Sequence, residues 1–407
     1  MTKTVAVLAT LDTKGQEARY LAEQVEALGG RALLVDMGVV GEPGTEPGVS
    51  ADEVAAAGGS SLEALRTEAT RQKASPIMIA GASKLLLDAL REGRIDAVVG
   101  LGGTQGTSNA TAVMQALPYG FPKVMVSTVA SGDTSAFVGI KDITMMFSVG
   151  DILGLNPVTR KILANAAAAA HGMACSDVRL DVGGGEKPVV GMTNLGVLTD
   201  GALRAIEKFN EAGYEVIVFH AVGSGGLAME QMMKDGLIGA VFDYGLGEIP
   251  DEMHDGLRAA GPERLTVAGT LGLPQVVCPG GLEHIGLLVE PDTVPDDWKD
   301  HQVTFHNPII LAVRLNADEM AAVGAEVARR LGHTQGKACF MMPLAGTSRY
   351  GIAGGELHDP AGDRAFLEAV KEGLPEGVEL VERELGAEDP AFVDECVERL
   401  VALIEGR

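Results

Sequence analysis

A chain of 407 residues, 46% hydrophobic but only 4% aromatic and holding 54 glycines, has the length for two α/β cores joined by tight turns. A formal net charge of −24 sets most of its surface against a nucleic-acid backbone and excludes a broad nucleic-acid footprint. Four dispersed cysteines with no C-x-x-C pair exclude a disulfide framework, and no apolar stretch reaches membrane-spanning length, so a cytoplasmic protein with no membrane contact is expected.

In chain order, residues 5–9 predict a strand and Leu11-Asp12-Thr13-Lys14 its polar exit loop. Residues 16–28 carry apolar positions at helical spacing and stop at Gly29-Gly30. A strand at 32–35, a Gly/Pro loop at 38–48 and helical patterns over about 50–91 follow. Strands at 97–99, 124–127 and 143–147 and a helix at 162–174 complete a first domain, residues 1–180. The glycine-rich stretch 176–188 reads as a linker. A second domain, residues 188–407, repeats the alternation. Strands are expected at 189–192, 215–220, 238–242, 265–268, 338–342 and 378–381, with helices at 201–212, 227–234, 317–330 and 391–404. Strand–helix alternation of this kind predicts two Rossmann-like domains, each a mainly parallel sheet flanked by helices.

The densest signal is Val98-Val99-Gly100-Leu101-Gly102-Gly103-Thr104-Gln105-Gly106-Thr107-Ser108, a strand that breaks into glycines and restarts as a helix. Bare backbone amides at a helix N-terminus suit an anion. The run fails the G-x-G-x-x-G fingerprint because Gln105 stands at the last glycine, and no G-x-x-x-x-G-K-[ST] occurs anywhere. A redox dinucleotide and an ordinary P-loop are therefore disfavoured. Gly102, Gly103 and Gly106 would offer amides, Thr107 and Ser108 would cap the helix or bond to oxygens, and Thr104 and Gln105 complete the candidate loop. In a doubly wound sheet the loops of Asp12, Thr13 and Lys14 and of Ser131 and Gly132 belong on the same edge.

The second half carries other chemistry. His220 and Asp243 end strands, Cys278-Pro279-Gly280-Gly281-Leu282-Glu283-His284 reads as a loop with three reactive side-chain types, and His306 and Arg314 follow. His220, Asp243, His306 and Arg314 are the candidate catalytic set, as an acid–base or metal site at the carboxyl edge of the second sheet. Their spacing matches no metal signature, so a metal is left open. His220-Ala221-Val222-Gly223-Ser224-Gly225-Gly226-Leu227 repeats the strand–glycine–helix device. Met229, Met232 and Met233 sit at helical spacing and should fill core gaps.

The segments Ala9-Thr10-Leu11-Asp12-Thr13-Lys14, Gly100 to Ser108, Ser127-Thr128-Val129-Ala130-Ser131-Gly132, Phe219-His220-Ala221 and His306-Asn307 together resemble a bacterial family that also forms the N-terminal half of a tomato mosaic virus resistance protein. The resemblance implies a two-domain α/β fold, ATP in the first domain and a homodimer. It also implies a TIM-barrel partner protein, fused or separate. Carried over by motif, Asp12, Thr13, Lys14, the 102–108 loop and the loop ending at Gly132 would contact the nucleotide, with Mg2+ left open. Three readings follow. One is an ATP-binding protein acting on a small anionic metabolite at the second domain. The others are a non-catalytic nucleotide-dependent regulator or partner-binding protein, and an epimerase- or lyase-like enzyme using a phosphorylated ligand.

Overall fold

The computed structural model describes residues 2–67, 71–178, 180 and 187–407, and the chain divides into two compact units, Met1–Leu180 and Asp181–Arg407. The expected glycine linker, with Gly183-Gly184-Gly185, lies largely outside the described residues.

In the first unit, apolar runs form β1 (Thr4–Ala9), β2 (Arg31–Asp36), β3 (Ala97–Gly102), β4 (Lys123–Ser127) and β5 (Thr144–Phe147). All pairings are parallel, in the order β2-β1-β3-β4-β5. The runs are apolar throughout because both faces are covered. Val5, Val7 and Val99 pack with helices Leu11–Ala27 and Pro157–Ala174, while Ala6, Leu8 and Val98 pack with helices Arg71–Arg91 and Thr104–Ala116. One expectation is corrected: Leu11 to Lys14 is the first turn of a helix, not an exit loop, with a kink at Lys14 (φ −124°). Asp36 holds that turn, its Oδ1 accepting from Leu11 N at 2.9 Å and Gly38 N at 2.8 Å.

The second unit contains β6 (Val190–Asn194), β7 (Val216–His220), β8 (Ala240–Gly245) and β9 (Gln275–Gly280), then β10 (His284–Leu288), β11 (Val303–Asn307) and β12 (Ile310–Arg314), and finally β13 (Ala338–Pro343) and β14 (Val378–Arg383). Six of these form a parallel sheet in the order β14-β13-β9-β8-β6-β7. The other three make a small antiparallel sheet, β10-β12-β11, inserted between β9 and β13. On one face of the large sheet, Met192, Phe242 and Cys278 pack with Phe209 of helix Thr199–Glu211 and with Phe392 and Leu400 of helix Pro390–Glu405. On the other face, Val241 meets Met229 and Met233 of helix Ser224–Lys234, which fill the core as their spacing predicted. Val277 and Phe340 meet helices Ala317–Leu331 and Pro360–Gly373.

The strand expected at 265–268 is instead the short helix Val267–Thr270, and Leu265 takes a positive φ of 69°. Glu230 accepts the amides of Leu265 (2.6 Å) and Val267 (3.2 Å), the groups a strand would have given to its ladder. The expected loop from Cys278 to His284 is also corrected. Cys278 belongs to β9 with its thiol in the core, and His284 opens β10. Burial pushes that thiol up, away from nucleophilic use.

Candidate functional site

In the first unit the sheet order reverses between β1 and β3, which opens a crevice beyond their carboxyl ends. A cavity of ≈ 530 Å³ lies there, and Asp12, Thr13, Lys14, Gly102, Gly103, Thr104, Gln105 and Gly106 all line it. The sequence thus brings together eight of its twelve nucleotide candidates. Thr107 is buried beneath, its hydroxyl 2.7 Å from that of Ser127, so it ties helix Thr104–Ala116 to β4. Ser108 is exposed on that helix, and Ser131 and Gly132 sit in the turn after β4; none of these lines the crevice.

The crevice presents an open helix N-terminus. Gly103 is the N-cap, no side chain caps the helix, and its first turn carries no acidic residue. The first intrahelical bond runs from Thr107 N to Gly103 O at 2.8 Å. The amides of Thr104, Gln105 and Gly106 therefore have no partner within the helix. Packing explains only some of the glycines. A Cβ on Gly100 would meet Met125 Sδ at 2.7 Å, and one on Gly102 would meet Gly106 Cα at 2.8 Å. A Cβ on Gly103 or Gly106 would find only ordinary contacts at 3.7 and 3.6 Å, and neither residue has a positive φ. Lys14 lines the same cavity with its ammonium bonded to the Ile152 carbonyl. Asp12 accepts from Gly41 N at 3.1 Å through Oδ2, while its Oδ1 is shielded and has no hydrogen-bond partner among the described residues.

The second glycine loop has the same plan and a different content. Gly223 caps helix Ser224–Lys234 with φ 89°, and Glu248 Oε1 accepts from Gly223 N (2.7 Å) and Gly226 N (3.0 Å). Its anion is built in. Glu248 in turn joins Arg264 at 2.6 Å, and the same guanidinium binds Asp243 and approaches Glu230 at 3.4 Å. Asp243 is thus held in a sealed ion cluster, together with a 2.7 Å bond from Thr193 Oγ1, and does not line the cavity that holds His220 and His306. Arg314 is equally committed. It donates to the Glu283 carbonyl at 2.8 Å and to Asp363 at 2.6 Å, with 3% of its surface exposed.

His220 and His306 do meet. They line one cavity of ≈ 220 Å³ at the carboxyl edge of the second sheet, and the antiparallel insertion supplies His284, also in the lining. His284 was flagged in sequence only as part of a loop; Arg258 and Tyr350, which also line the cavity, carried no spacing signal. Glu283 Oε1 stands 3.1 Å from His284 Nδ1, and Glu283 also accepts from Thr347 Oγ1 at 2.7 Å and from the Ser348 hydroxyl. Burial pushes the Glu283 carboxyl up, but His284 and the two hydroxyls outweigh it and hold the group well below the usual range. Arg258 spends Nε and Nη2 on Asp251 at 3.0 and 2.7 Å and leaves Nη1 with a 3.4 Å approach to His284 Nε2. His306 Nδ1 lies 3.4 Å from the Tyr350 hydroxyl, and His220 Nδ1 lies 3.3 Å from the Asn194 carbonyl. Among the described residues no cluster of three or more His, Cys, Asp or Glu side chains could hold a metal.

Two parallel, helix-flanked units, each with a cavity beyond its strand ends, define a two-domain Rossmann-like α/β protein. Among the described residues, no helix is long and apolar enough to cross a membrane. The chain belongs to the uncharacterised protein family (UPF0261): the model of its N-terminal domain matches residues 3–179 and that of its C-terminal domain residues 187–404. A UPF0261 protein of Clostridium tetani is 38% identical over 409 residues, covering 100% of both chains. One from Rhizobium meliloti is 38% identical over 91% of this chain and 90% of that one. The ToMV resistance protein Tm-1(GCR237) of Solanum lycopersicum is 33% identical over 71% of this chain, a match spanning 39% of the tomato protein. The likeness to a bacterial family and to a tomato mosaic virus resistance protein therefore holds.

Proposed function

We propose that the first unit binds ATP in the crevice between β1 and β3, and that the second unit takes a small anionic metabolite in the cavity lined by His220, His284 and His306. One contrast carries the nucleotide reading. Two glycine loops of the same plan end in helix N-termini, and one is closed by its own carboxylate, Glu248, while the other opens into a cavity of ≈ 530 Å³ with free amides. A helix N-terminus with free amides favours phosphate oxygens. Gly103 and Gly106, whose bareness packing does not require, would let a phosphate approach the backbone. Lys14 would supply a positive charge, and the Asp12 carboxylate an acceptor for a ribose hydroxyl or a magnesium-bound water.

Isothermal titration with ATP, with and without magnesium, tests this reading. Binding that weakens about tenfold in Gly106→Ala with the fold intact supports it. Wild-type protein that takes up no ATP under either condition disproves it. ADP release in the presence of pooled small carboxylates would reveal phosphoryl transfer to the metabolite.

A further inference from the structure

We propose that His284 is a proton-transfer residue, positioned by Glu283, that acts on a small oxo acid with a short alkyl body bound in the second unit's cavity. This rests on reading that cavity as an anionic-metabolite site, and it adds the substrate class and the working residue.

The size of the cavity sets the first limit. A void of about 150 Å³ takes a benzene ring, so ≈ 220 Å³ suits a molecule somewhat larger than that. The lining sets the second. Leu195, Val197, Val222 and Ile310 give an apolar wall, which selects a short hydrocarbon body. Against that wall stands Arg258, with Nε and Nη2 occupied by Asp251 and Nη1 bound only through the long approach to His284. A guanidinium nitrogen with spare donors beside an apolar wall fits a carboxylate carried on an alkyl chain.

His284 has the arrangement of a general base. Nδ1 faces the Glu283 carboxylate at 3.1 Å, which assigns the proton to Nδ1 and leaves on Nε2 the lone pair that Arg258 Nη1 approaches at 3.4 Å, a long contact that Nη1 would exchange for the substrate carboxylate. Thr347, Ser348 and His284 all donate to Glu283, so the carboxylate stays ionised and compensates the imidazolium that forms when Nε2 takes a proton. A core histidine needs no such buried carboxylate with two further donors. Tyr350, whose ring centroid is 5.7 Å from that of His284, lines the same cavity and carries a hydroxyl that can donate to a developing oxyanion.

The step balances without a co-reactant. The C–H bond next to the ketone breaks and its proton moves to His284 Nε2. The electron pair of that bond forms the enolate double bond, and the charge rests on the former ketone oxygen, which accepts from Tyr350. Return of a proton from Nε2 restores the oxo acid, so in deuterium oxide the carbon exchanges hydrogen for deuterium.

The test uses the full chain with α-ketobutyrate and α-ketoisovalerate as probes, saturation-transfer NMR for binding and proton NMR in deuterium oxide for exchange. Both probes are expected to bind and to exchange faster than in buffer alone. His284→Gln is expected to keep binding and lose exchange by about 100-fold or more. Tyr350→Phe, which removes only a hydroxyl, should lose about 100-fold and carries the test if His284→Gln does not fold. Binding without exchange above the buffer rate overturns the proton-transfer inference alone. Absence of binding overturns it together with the anionic-metabolite reading. Exchange undiminished in folded His284→Gln, or in Tyr350→Phe, also overturns it.

Discussion

Arg264 Nη2 donates to Asp243 Oδ1 across 2.6 Å, and both side chains are buried, at 0% and 2% exposure. Glu248 and Glu230 bring two more carboxylates to the same guanidinium. The cluster therefore carries more acid than base among buried side chains, and its work is to pin the strand end of β8 beneath the second glycine loop. Asp243→Asn should cost about 3 kcal/mol or more in urea unfolding, because it leaves a buried guanidinium short of its partner. It should leave oxo-acid binding in folded protein unchanged; a variant as stable as wild type would show the pair to be dispensable.

The same cluster predicts a pH dependence. Burial pushes Glu230 up from 4.5 to about 7, with Arg264 pulling it down and Asp243 pushing it further up. A folded-state pKa above the unfolded one means that the native protein holds the extra proton. The associated stability is full below about 4.5 and is lost as pH rises through about 7. Glu230→Gln stays neutral throughout. The stability of wild type relative to this variant should fall between pH 5 and 8 in parallel thermal melts, and a flat difference would contradict the assignment.

The glycines of the first loop should separate by role. Gly102→Ala drives its Cβ to 2.8 Å from Gly106 Cα and should destabilise the unit, seen as a lower Tm. Gly106→Ala meets nothing closer than 3.6 Å and should melt like wild type. If the crevice holds phosphate, that second variant should weaken ATP binding by about tenfold, the worth of roughly one charge-assisted hydrogen bond.

Val149, in the turn after β5, is 68% exposed with φ 63°, a conformation that branched side chains resist. Val149→Gly should relieve the strain at the cost of a floppier unfolded chain, for a net gain of about 0.5–1 kcal/mol. Chemical denaturation decides it, and a loss of stability would mean that the side chain earns its place through a contact.

The parallel strands were legible because burial on both faces leaves an apolar run, as in Val98-Val99 or Val241-Phe242. The antiparallel insertion was not. Its β11 carries Thr304, Phe305, His306 and Asn307, half exposed and without clean alternation. The first crevice was legible in part: Asp12 to Lys14 and Gly102 to Gly106 follow adjacent parallel strands, so the doubly wound plan puts them on one edge, whereas the turn of Ser131 and Gly132, expected on the same edge, does not line it. The second cavity was legible only through His220 and His306. Asp243 and Arg314 looked equally poised at strand ends, but their partners, Arg264 and Asp363, stand 21 and 49 residues away, where no local pattern reveals them. Glu283 and His284 were visible as neighbours; that one orients the other depends on Thr347 and Ser348, more than sixty residues downstream.

The core that joins Met192 on β6 to Phe392 and Leu400 has a consequence for biosynthesis. The first unit has all its strands and its closing helix by Ala174 and can fold while translation continues. The second unit has its first strand early, yet one face of that sheet waits for residues 390–405. At about 5–20 residues per second, this leaves the part of that face not covered by helix Thr199–Glu211 exposed for on the order of ten seconds or more. That interval, rather than the finished protein, is when this chain is most exposed to aggregation and to capture by chaperones.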